Sequence, residues 1–195
     1  MPAPTLETTR LRLRCWADDD LEPFALLNAD PRVRQYFPNT LDRSQSDHEA
    51  AWIQKALSSQ DFGLWAVELP GTASFIGFTG LSVPRFNTHF TPCVEIGWRL
   101  AFDHWRRGYA TEAASAALSY AFNSLGLEEV ISFTVPANQR SIAVMERIGM
   151  TRSAKDDFPH PALPDGHPLQ PHVLYRIKRS DWTDTGVRNL SLIEA

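Results

Sequence analysis

Cysteine is scarce in this sequence: the 195 residues include only Cys15 and Cys93, which lie far apart and form no C-x-x-C pair. A disulfide framework and a cysteine-rich metal site are therefore disfavoured, and we expect two reduced thiols. Long apolar runs are also missing, since no stretch approaches the roughly 18 residues of a membrane span. The N-terminal residues lack the apolar core of a signal peptide. These absences predict a cytoplasmic protein that does not bind membranes.

An excess of positive charge is absent as well. Nineteen Lys and Arg residues against 23 Asp and Glu residues give a formal net charge of −4, which argues against a general nucleic-acid-binding protein. The alternating segment R-L-R-L-R-C-W at 10–16 places Arg10, Arg12 and Arg14 on one face of a predicted strand. We expect a solvated strand face there, with a nucleic-acid or substrate contact as the alternative.

The two common nucleotide-binding patterns are also missing. The chain has no G-x-x-x-x-G-K-[ST] and no G-x-G-x-x-G after a strand, which removes the main support for binding a nucleoside triphosphate or a dinucleotide. Between 93 and 125 a strand runs instead into R-R-G at 106–108 and an alanine-rich helix. Free N–H groups, a helix dipole and a glycine together form an anion site. Residues 106–111 therefore predict a phosphate-bearing cofactor, with a purely structural turn as the alternative.

Hydrophobic periodicity predicts helices and strands on both sides of this segment. The predicted helices are 18–28, 46–58 (opened by a capping box of Ser46 and Glu49), 109–125 and 138–148. The predicted strands are 10–16, 62–69, 74–83, 130–135 and 172–177, with a further one beginning at Cys93. Because neither an internal repeat nor a domain boundary is visible, we expect one domain over 1–182 and a C-terminal tail over 183–195.

Residues 156–172 are rich in proline and contain His160, His167 and His172. The proline density excludes a helix or an inner strand and predicts a long surface loop, a type of segment that is often functional. The spacing of the histidines matches no compact metal-binding motif, so we expect a solvated loop and no metal site.

Two segments together carry a family resemblance: V-E-I-G-W-R-L…H-W-R-R-G-Y-A-T-E-A, and N-Q-R-S-I-A-V-M-E-R-I-G-M. The chain resembles the GNAT superfamily of acyl-CoA-dependent N-acyltransferases, most closely its RimJ/RimL-type branch, from about Leu6 to Trp182. The resemblance implies an α/β (α+β) fold, with a strongly twisted, mixed, mostly antiparallel sheet flanked by helices. It also implies acetyl-CoA as co-substrate, no metal, and an amine acceptor, which is either a peptide or protein N-terminus or a small amine. A homodimer is left open.

The same resemblance assigns the cofactor site to two stretches and one asparagine. The amides of 106–111 would hold the coenzyme A pyrophosphate, and the backbone of 96–100 would pair with the pantetheine arm. Asn138 matches an asparagine that hydrogen-bonds this arm, with a helix cap as its alternative role. Trp105 stands where the family usually has Gln or Arg, so a side-chain role for it stays undecided. The cofactor-binding residues implied are Ile96, Gly97, Trp98, Arg99, Leu100, Arg106, Arg107, Gly108, Tyr109, Ala110, Thr111 and Asn138.

Two residues are predicted to be catalytic. An amine attacks a thioester only when it is neutral, so the implied reaction, direct attack in a ternary complex, needs a base. Glu95 matches a strand-four glutamate that some GNAT enzymes use as base, with a structural hydrogen bond inside the sheet as the alternative. Met145 replaces the usual tyrosine acid and cannot donate a proton, so Ser141 is the candidate for a hydrogen bond to the leaving thiolate, or is a mere helix-start residue. The missing tyrosine keeps a second function open, a catalytically weak acyl-CoA-binding regulatory module.

Overall fold

The computed structural model describes residues 3–183 and 191–193. The strands are β1 (Thr5–Glu7), β2 (Arg12–Arg14), β3 (Leu64–Leu69), β4 (Ala73–Ser82), β5 (Glu95–Leu100), β6 (Glu129–Thr134), β7 (Thr151–Arg152), β8 (Phe158–Pro159), β9 (Pro171–Lys178) and β10 (Ser191–Ile193). The helices are α1 (Leu21–Ala29), α2 (Arg43–Ser59), α3 (Tyr109–Asn123) and α4 (Gln139–Arg147). The predicted tail at 183–195 includes β10, which pairs with β1; its residues 184–190 and 194–195 lie outside the described residues.

The strands form one mixed sheet in the order β10-β1-β2-β3-β4-β5-β6-β9-β7, and β8 pairs with β9. Neighbouring strands of the described sheet run antiparallel, except β5 and β6, which run parallel. The mixed, mostly antiparallel sheet flanked by helices that the family resemblance implied is therefore confirmed.

The parallel strands β5 and β6 separate along their length. They share one register pair, Glu95 with Ile131, and Ile131 N–H donates to the Val94 carbonyl at 3.0 Å. On its other edge, β5 pairs with β4 along the whole of 95–100. The edge of β5 that faces β6 thus has no described strand partner at 96–100. A second extended chain can bind there through the free backbone groups.

The helices cover the two faces of the sheet. Small residues of α3 let it approach one face closely, and the buried ones from the predicted stripe are Ala114, Ala117, Leu118 and Ala121. On the opposite face, α1 and α2 pack around Phe24, Phe75 and Phe78. None of the helices in the described ranges is long and apolar enough to cross a membrane.

Helix α2 begins earlier than the sequence pattern predicted. Asp42 is its N-cap: Gln45 N–H donates to Asp42 Oδ1 at 2.8 Å, and Asp42 N–H donates to Gln45 Oε1 at 3.0 Å. Ser46 is instead fully buried inside the helix and lies 3.0 Å from the Asn28 amide nitrogen. The predicted cap at Ser46 is wrong because D-x-x-Q and S-x-x-E occur four residues apart, and the burial of Ser46 decides between them.

The segment 156–172 is more ordered than the predicted solvated loop. Phe158 is buried in β8, and β9 already begins at Pro171. The rings of His160 and His172 lie 4.9 Å apart, and both rings contact Phe133. Residues 161–170 form the predicted surface loop. The prediction of a solvated loop is wrong only for the two ends of the segment, where the aromatic side chains of Phe158, His160 and His172 pack together, because proline counts report backbone constraints and not side-chain packing.

Candidate active site

A cavity of about 1460 Å³ opens along the gap between β5 and β6. This volume exceeds the roughly 300–1,000 Å³ of an ordinary small-molecule pocket, so it can hold two substrates. The predicted site residues that line it are Glu95, Gly97, Trp98, Arg99, Leu100, Arg106, Gly108, Tyr109, Ala110, Thr111, Asn138 and Ser141. Ile96 and Arg107 do not line the cavity; the Ile96 side chain lies in the core.

The turn before α3 has the geometry of an anion site. Arg106 and Gly108 both have positive φ angles, 60° and 81°, and Gly108 is the N-cap of α3 without a side-chain cap. The backbone hydrogen bond from Glu112 N–H to the Gly108 carbonyl, 3.0 Å, closes the first turn. The N–H groups of 109–111 therefore have no acceptor within the helix, and they lie at its positive end. A pyrophosphate fits this arrangement.

Arg10 braces this turn from the other end of the sequence. Its Nη1 donates to the Arg107 carbonyl at 2.9 Å, and its Nε donates to Glu112 Oε2 at 2.6 Å. Thr8 Oγ1 donates to the same carboxylate at 2.6 Å, and the guanidinium lies 4.7 Å from the Tyr109 ring centroid. Arg10 is exposed, as the predicted solvated face requires, and it holds the turn from the surface. Sequence reasoning missed this contact because about 100 residues separate its partners.

Arg12 and Arg14, the two arginines of β2, are also paired. Arg14 donates to Asp20 at 2.7 Å and to Glu68 at 2.9 Å, and its side chain is mostly buried. Arg12 bridges Glu7 and Glu68 at 2.9 and 3.2 Å. Each of the three arginines at 10, 12 and 14 thus has a carboxylate within hydrogen-bond distance, and the segment does not present three free positive charges.

Asn138 is the N-cap of α4. Its Oδ1 accepts from Ser141 N–H at 3.3 Å, and its Nδ2 donates to Thr134 Oγ1 at 2.9 Å. The helix cap that was its alternative role is thus present, and the residue still lines the cavity. The Ser141 hydroxyl has no hydrogen-bond partner among the described residues and faces the same space. Buried Met145 lines the cavity one turn further along.

Glu95 lies where β5 and β6 begin to separate. Its carboxylate accepts no hydrogen bond from any residue in the described ranges, so the structural hydrogen bond considered as its alternative role is not observed. Burial raises the pKa of Glu95 from 4.5 to about 8, because desolvation disfavours the charged form. A carboxylate with such a pKa accepts and releases a proton near neutral pH, which suits general base catalysis.

The wall beyond Glu95 is aromatic. It is built by Phe133 from β6 and by His160 and His172. Burial lowers the pKa of both histidines, and the neighbouring His172 lowers that of His160 further. Both rings are therefore neutral near pH 7, and this wall is mainly apolar.

Arg99 extends from β5 towards α1 and α2. Its Nη1 donates to Asn28 Oδ1 at 2.8 Å and lies 3.3 Å from both carboxylate oxygens of Glu49. The guanidinium carbon lies 4.5 Å from the Phe37 ring centroid and 5.0 Å from that of Phe78. The family resemblance assigned Arg99 a backbone role only. The buried polar Asn28, at an apolar-spaced position of α1, was the available signal for this side-chain contact.

A bridge crosses the cavity between the segment after α1 and the start of α4. Tyr36 Oη donates to the Ala137 carbonyl at 2.9 Å, and Arg140 Nη2 donates to Gln35 Oε1 at 3.0 Å. Arg140 also lies 4.5 Å from the Trp105 ring centroid. The Trp105 indole N–H donates to the Leu100 carbonyl at 2.8 Å. Position 105 therefore fixes the end of β5 and supports the bridge.

Comparison with known proteins agrees with this geometry. The acetyltransferase (GNAT) domain family matches residues 10–151. Protein YkkB of Bacillus subtilis is 38% identical over 146 residues, which are 74% of this chain and 84% of that protein. FsC-acetyl coenzyme A-N(2)-transacetylase of Aspergillus fumigatus is 34% identical over an alignment of 192 positions that covers 92% of this chain and 78% of that protein.

A solved structure is similar as well. The acetyltransferase (GNAT family) from Bacillus anthracis superposes with a TM-score of 0.75 at 26% identity, covering 90% of this chain and 99% of that one. The family match spans more than half of the sequence and includes the strand, turn and helix that line the cavity. The chain therefore belongs to the GNAT acetyltransferase superfamily and is an enzyme that transfers acyl groups.

Proposed function

We propose that this enzyme is an acetyl-CoA-dependent N-acetyltransferase of the RimJ/RimL-type branch, which acetylates a primary amine by direct attack in a ternary complex. One observation carries the proposal: a single cavity joins an anion-binding helix start, an unpaired strand edge and a carboxylate with a raised pKa. The acceptor amine belongs to a small molecule or to a peptide or protein N-terminus.

The order of these features along the cavity gives the orientation of acetyl-CoA. The amides of 109–111 hold the pyrophosphate, with Arg106 on the same turn. The pantetheine arm runs along the free edge of 96–100 in the direction from Leu100 to Ile96. Its thioester then arrives beside Glu95, where β5 and β6 meet. Gly108 leaves room for the phosphates because it has no side chain.

The chemistry follows from the groups at that end. Glu95 takes a proton from the ammonium form of the acceptor, directly or through water, and the amine lone pair then attacks the thioester carbon. The C–S bond breaks as the new amide C–N bond forms, and the thiolate leaves; the nitrogen loses its extra proton as the amide forms, and a proton neutralises the thiolate to give the free thiol of coenzyme A. The Ser141 hydroxyl donates a hydrogen bond to this thiolate, a role that Met145 cannot perform.

The alternative is a regulatory module that binds acyl-CoA with little catalysis. The two functions differ in one measurable product, because only the enzyme releases free thiol when an amine is present. The test is a thiol-release assay with acetyl-CoA against a panel of small amines and peptide N-termini, with binding measured in parallel by calorimetry. Acetyl-CoA binding without amine-dependent thiol release would support the regulatory module.

Three further expectations belong to this proposal. We propose one functional unit over 1–182, action in the cytoplasm, and no nucleic-acid partner. Free thiols at Cys15 and Cys93 fit a reducing compartment, and the carboxylate partners of Arg12 and Arg14 leave little unpaired positive charge on β2. A mobility-shift assay on DNA and RNA checks the last point, and salt-dependent binding would contradict it.

A further inference from the structure

One face of β5 carries the residues from which the class of acceptor can be inferred. Side chains alternate along a strand, and Ile96 and Leu100 belong to the core packed against α3. Glu95, Gly97 and Arg99 therefore share the opposite face. All three line the cavity, so this face is a track with a carboxylate at one end and a guanidinium at the other.

Gly97, in the middle of this track, leaves space that the protein itself does not use. A Cβ atom built on it would meet no atom within 4 Å, and its φ angle is not positive. In contrast, a Cβ on Gly80, the cross-strand partner, would lie 2.0 Å from the Gly63 carbonyl oxygen. Neither packing nor backbone geometry requires glycine at position 97. Because glycine weakens a strand, its presence here needs another reason. The space above it is available to a bound molecule.

The Arg99 end of the track has a surplus of positive charge. Arg99 Nη1 is occupied by Asn28 and Glu49, whereas the buried Nε of the same guanidinium has no hydrogen-bond partner among the described residues. A second guanidinium, that of Arg34, lies 4.4 Å from the Phe37 ring centroid, on the ring that Arg99 also contacts. Desolvation and the nearby Arg99 lower the pKa of Arg34 to about 10. Of these two groups only Arg99 forms a salt bridge within the described ranges, with Glu49, and Arg99 is only 10% exposed, so an added anion is favoured.

We propose that the acceptor is a primary amine that carries a carboxylate on the same molecule, with its amine at Glu95, its chain over Gly97 and its carboxylate on Arg99. The inference rests on the proposed N-acetyltransferase function and names its substrate class. Four residues of strand separate the two ends by about 13 Å. This is the separation of their Cα atoms, and both side chains project from the same face of the strand, so an acceptor that reaches both has several bonds between its amine and its carboxylate.

This spacing excludes α-amino acids bound in this way, because their amine and carboxylate oxygens are at most about 4 Å apart from summed bond lengths. Amines with several bonds between the two groups fit, such as ω-amino acids of intermediate length. The aromatic wall formed by Phe133, His160 and His172 adds apolar surface for a methylene chain near the amine end.

The test uses ω-amino acids from 3-aminopropanoate to 8-aminooctanoate and the matched carboxamide of each. We expect kcat/KM to favour the carboxylate over its carboxamide by roughly ten- to a hundredfold, the value of a hydrogen bond to a charged group, with an optimum at intermediate length. Arg99→Gln should reduce this ratio to near one through KM and leave acetyl-CoA affinity, measured by calorimetry, unchanged. Glu49→Gln is the matched control, because it removes the other half of the ion pair and should keep the preference.

Gly97→Ala provides a variant that folds without a clash. We expect its melting temperature to be no lower than that of the wild type and its acceptor KM to rise severalfold. Equal kcat/KM for carboxylates and carboxamides, or a preference for carboxamides, overturns the inference. The inference is also overturned if neither series reacts while other amines are acetylated. In that case the proposed N-acetyltransferase function still stands. If no amine releases thiol, the proposed function itself fails.

Discussion

Replacing Glu95 by Gln should lower activity and raise stability, and both effects should grow with pH. The substitution keeps the shape of the side chain but removes its proton exchange. Glu95 accepts no hydrogen bond from the described residues, and its pKa is raised to about 8 by desolvation. The ionised form is therefore the costly form in the folded protein and the form that acts as base.

The stability change has a definite sign. Between pH 4.5 and 8 the unfolded chain has lost the Glu95 proton while the folded protein keeps it, so wild-type stability falls as pH rises through this window. If Glu95 were fully buried, this loss in the free energy of unfolding of the wild type would approach about 5 kcal/mol above pH 8. Because Glu95 is only partly buried, we expect about half of this, ~2 kcal/mol. Glu95→Gln should thus melt about 4–8 °C higher than wild type at pH 9, and at nearly the same temperature at pH 5.

The activity change is measured as the ratio of wild-type to Glu95→Gln kcat/KM across pH 6–10. The acceptor amine also titrates, and the ratio cancels its contribution. We expect the ratio to rise about tenfold per pH unit below the raised pKa of Glu95 and then to level off at roughly 10²–10⁴. Glu128→Gln is the matched control, since that side chain is 86% exposed, and it should change neither quantity. A flat ratio would refute Glu95 as the base, and a melting difference independent of pH would refute its raised pKa.

Three further predictions concern the cofactor turn, the helix start and the core. Gly108→Val should weaken acetyl-CoA binding at least tenfold by calorimetry, because the side chain enters the phosphate site. Gly126→Val is the matched control: it imposes similar backbone strain, at φ +67°, away from the cavity. It should lower the melting temperature without changing the affinity for acetyl-CoA. Ser141→Ala should lower kcat about tenfold, the value of one hydrogen bond to a charged group, and an unchanged kcat would contradict the proposed thiolate contact. Leu118→Ala should reduce the free energy of unfolding by about 2–5 kcal/mol in urea titration, since the side chain is fully buried; a loss below 1 kcal/mol would contradict the packing of α3.

Local patterns located most elements of the fold but not all of their ends. Alternation and helical periodicity placed α3, α4 and the central strands within a few residues of their observed bounds. The start of α2 was missed because two capping patterns overlap there, and only the burial of Ser46 separates them. The proline pattern correctly predicts a surface loop at 161–170, but it misses the aromatic packing at both ends of 156–172, because prolines limit the backbone and give no information on which rings meet.

The candidate site likewise combines local features that the sequence shows with long-range contacts that it does not show. The glycine turn at 106–108 and the position of Glu95 on the preceding strand are local features, so their chemistry is visible in the sequence. The bracing of that turn by Arg10 and the contact of Arg99 with Asn28 join residues 97 and 71 positions apart. Periodicity indicates which face a side chain occupies and not which residue it meets, so these contacts were invisible.

The sequence by itself determined the order of strands and helices around residues 93–125, the anion-binding turn at Gly108 and the presence of a carboxylate on the strand that leads to it. These depend on backbone geometry and on neighbours a few residues apart. Only the tertiary structure decided that β5 and β6 separate beyond Glu95, that this carboxylate is desolvated, and that Gly97 lies open beneath a positively charged end at Arg99. Strand separation, desolvation and charge surplus arise from groups that distant parts of the chain bring together.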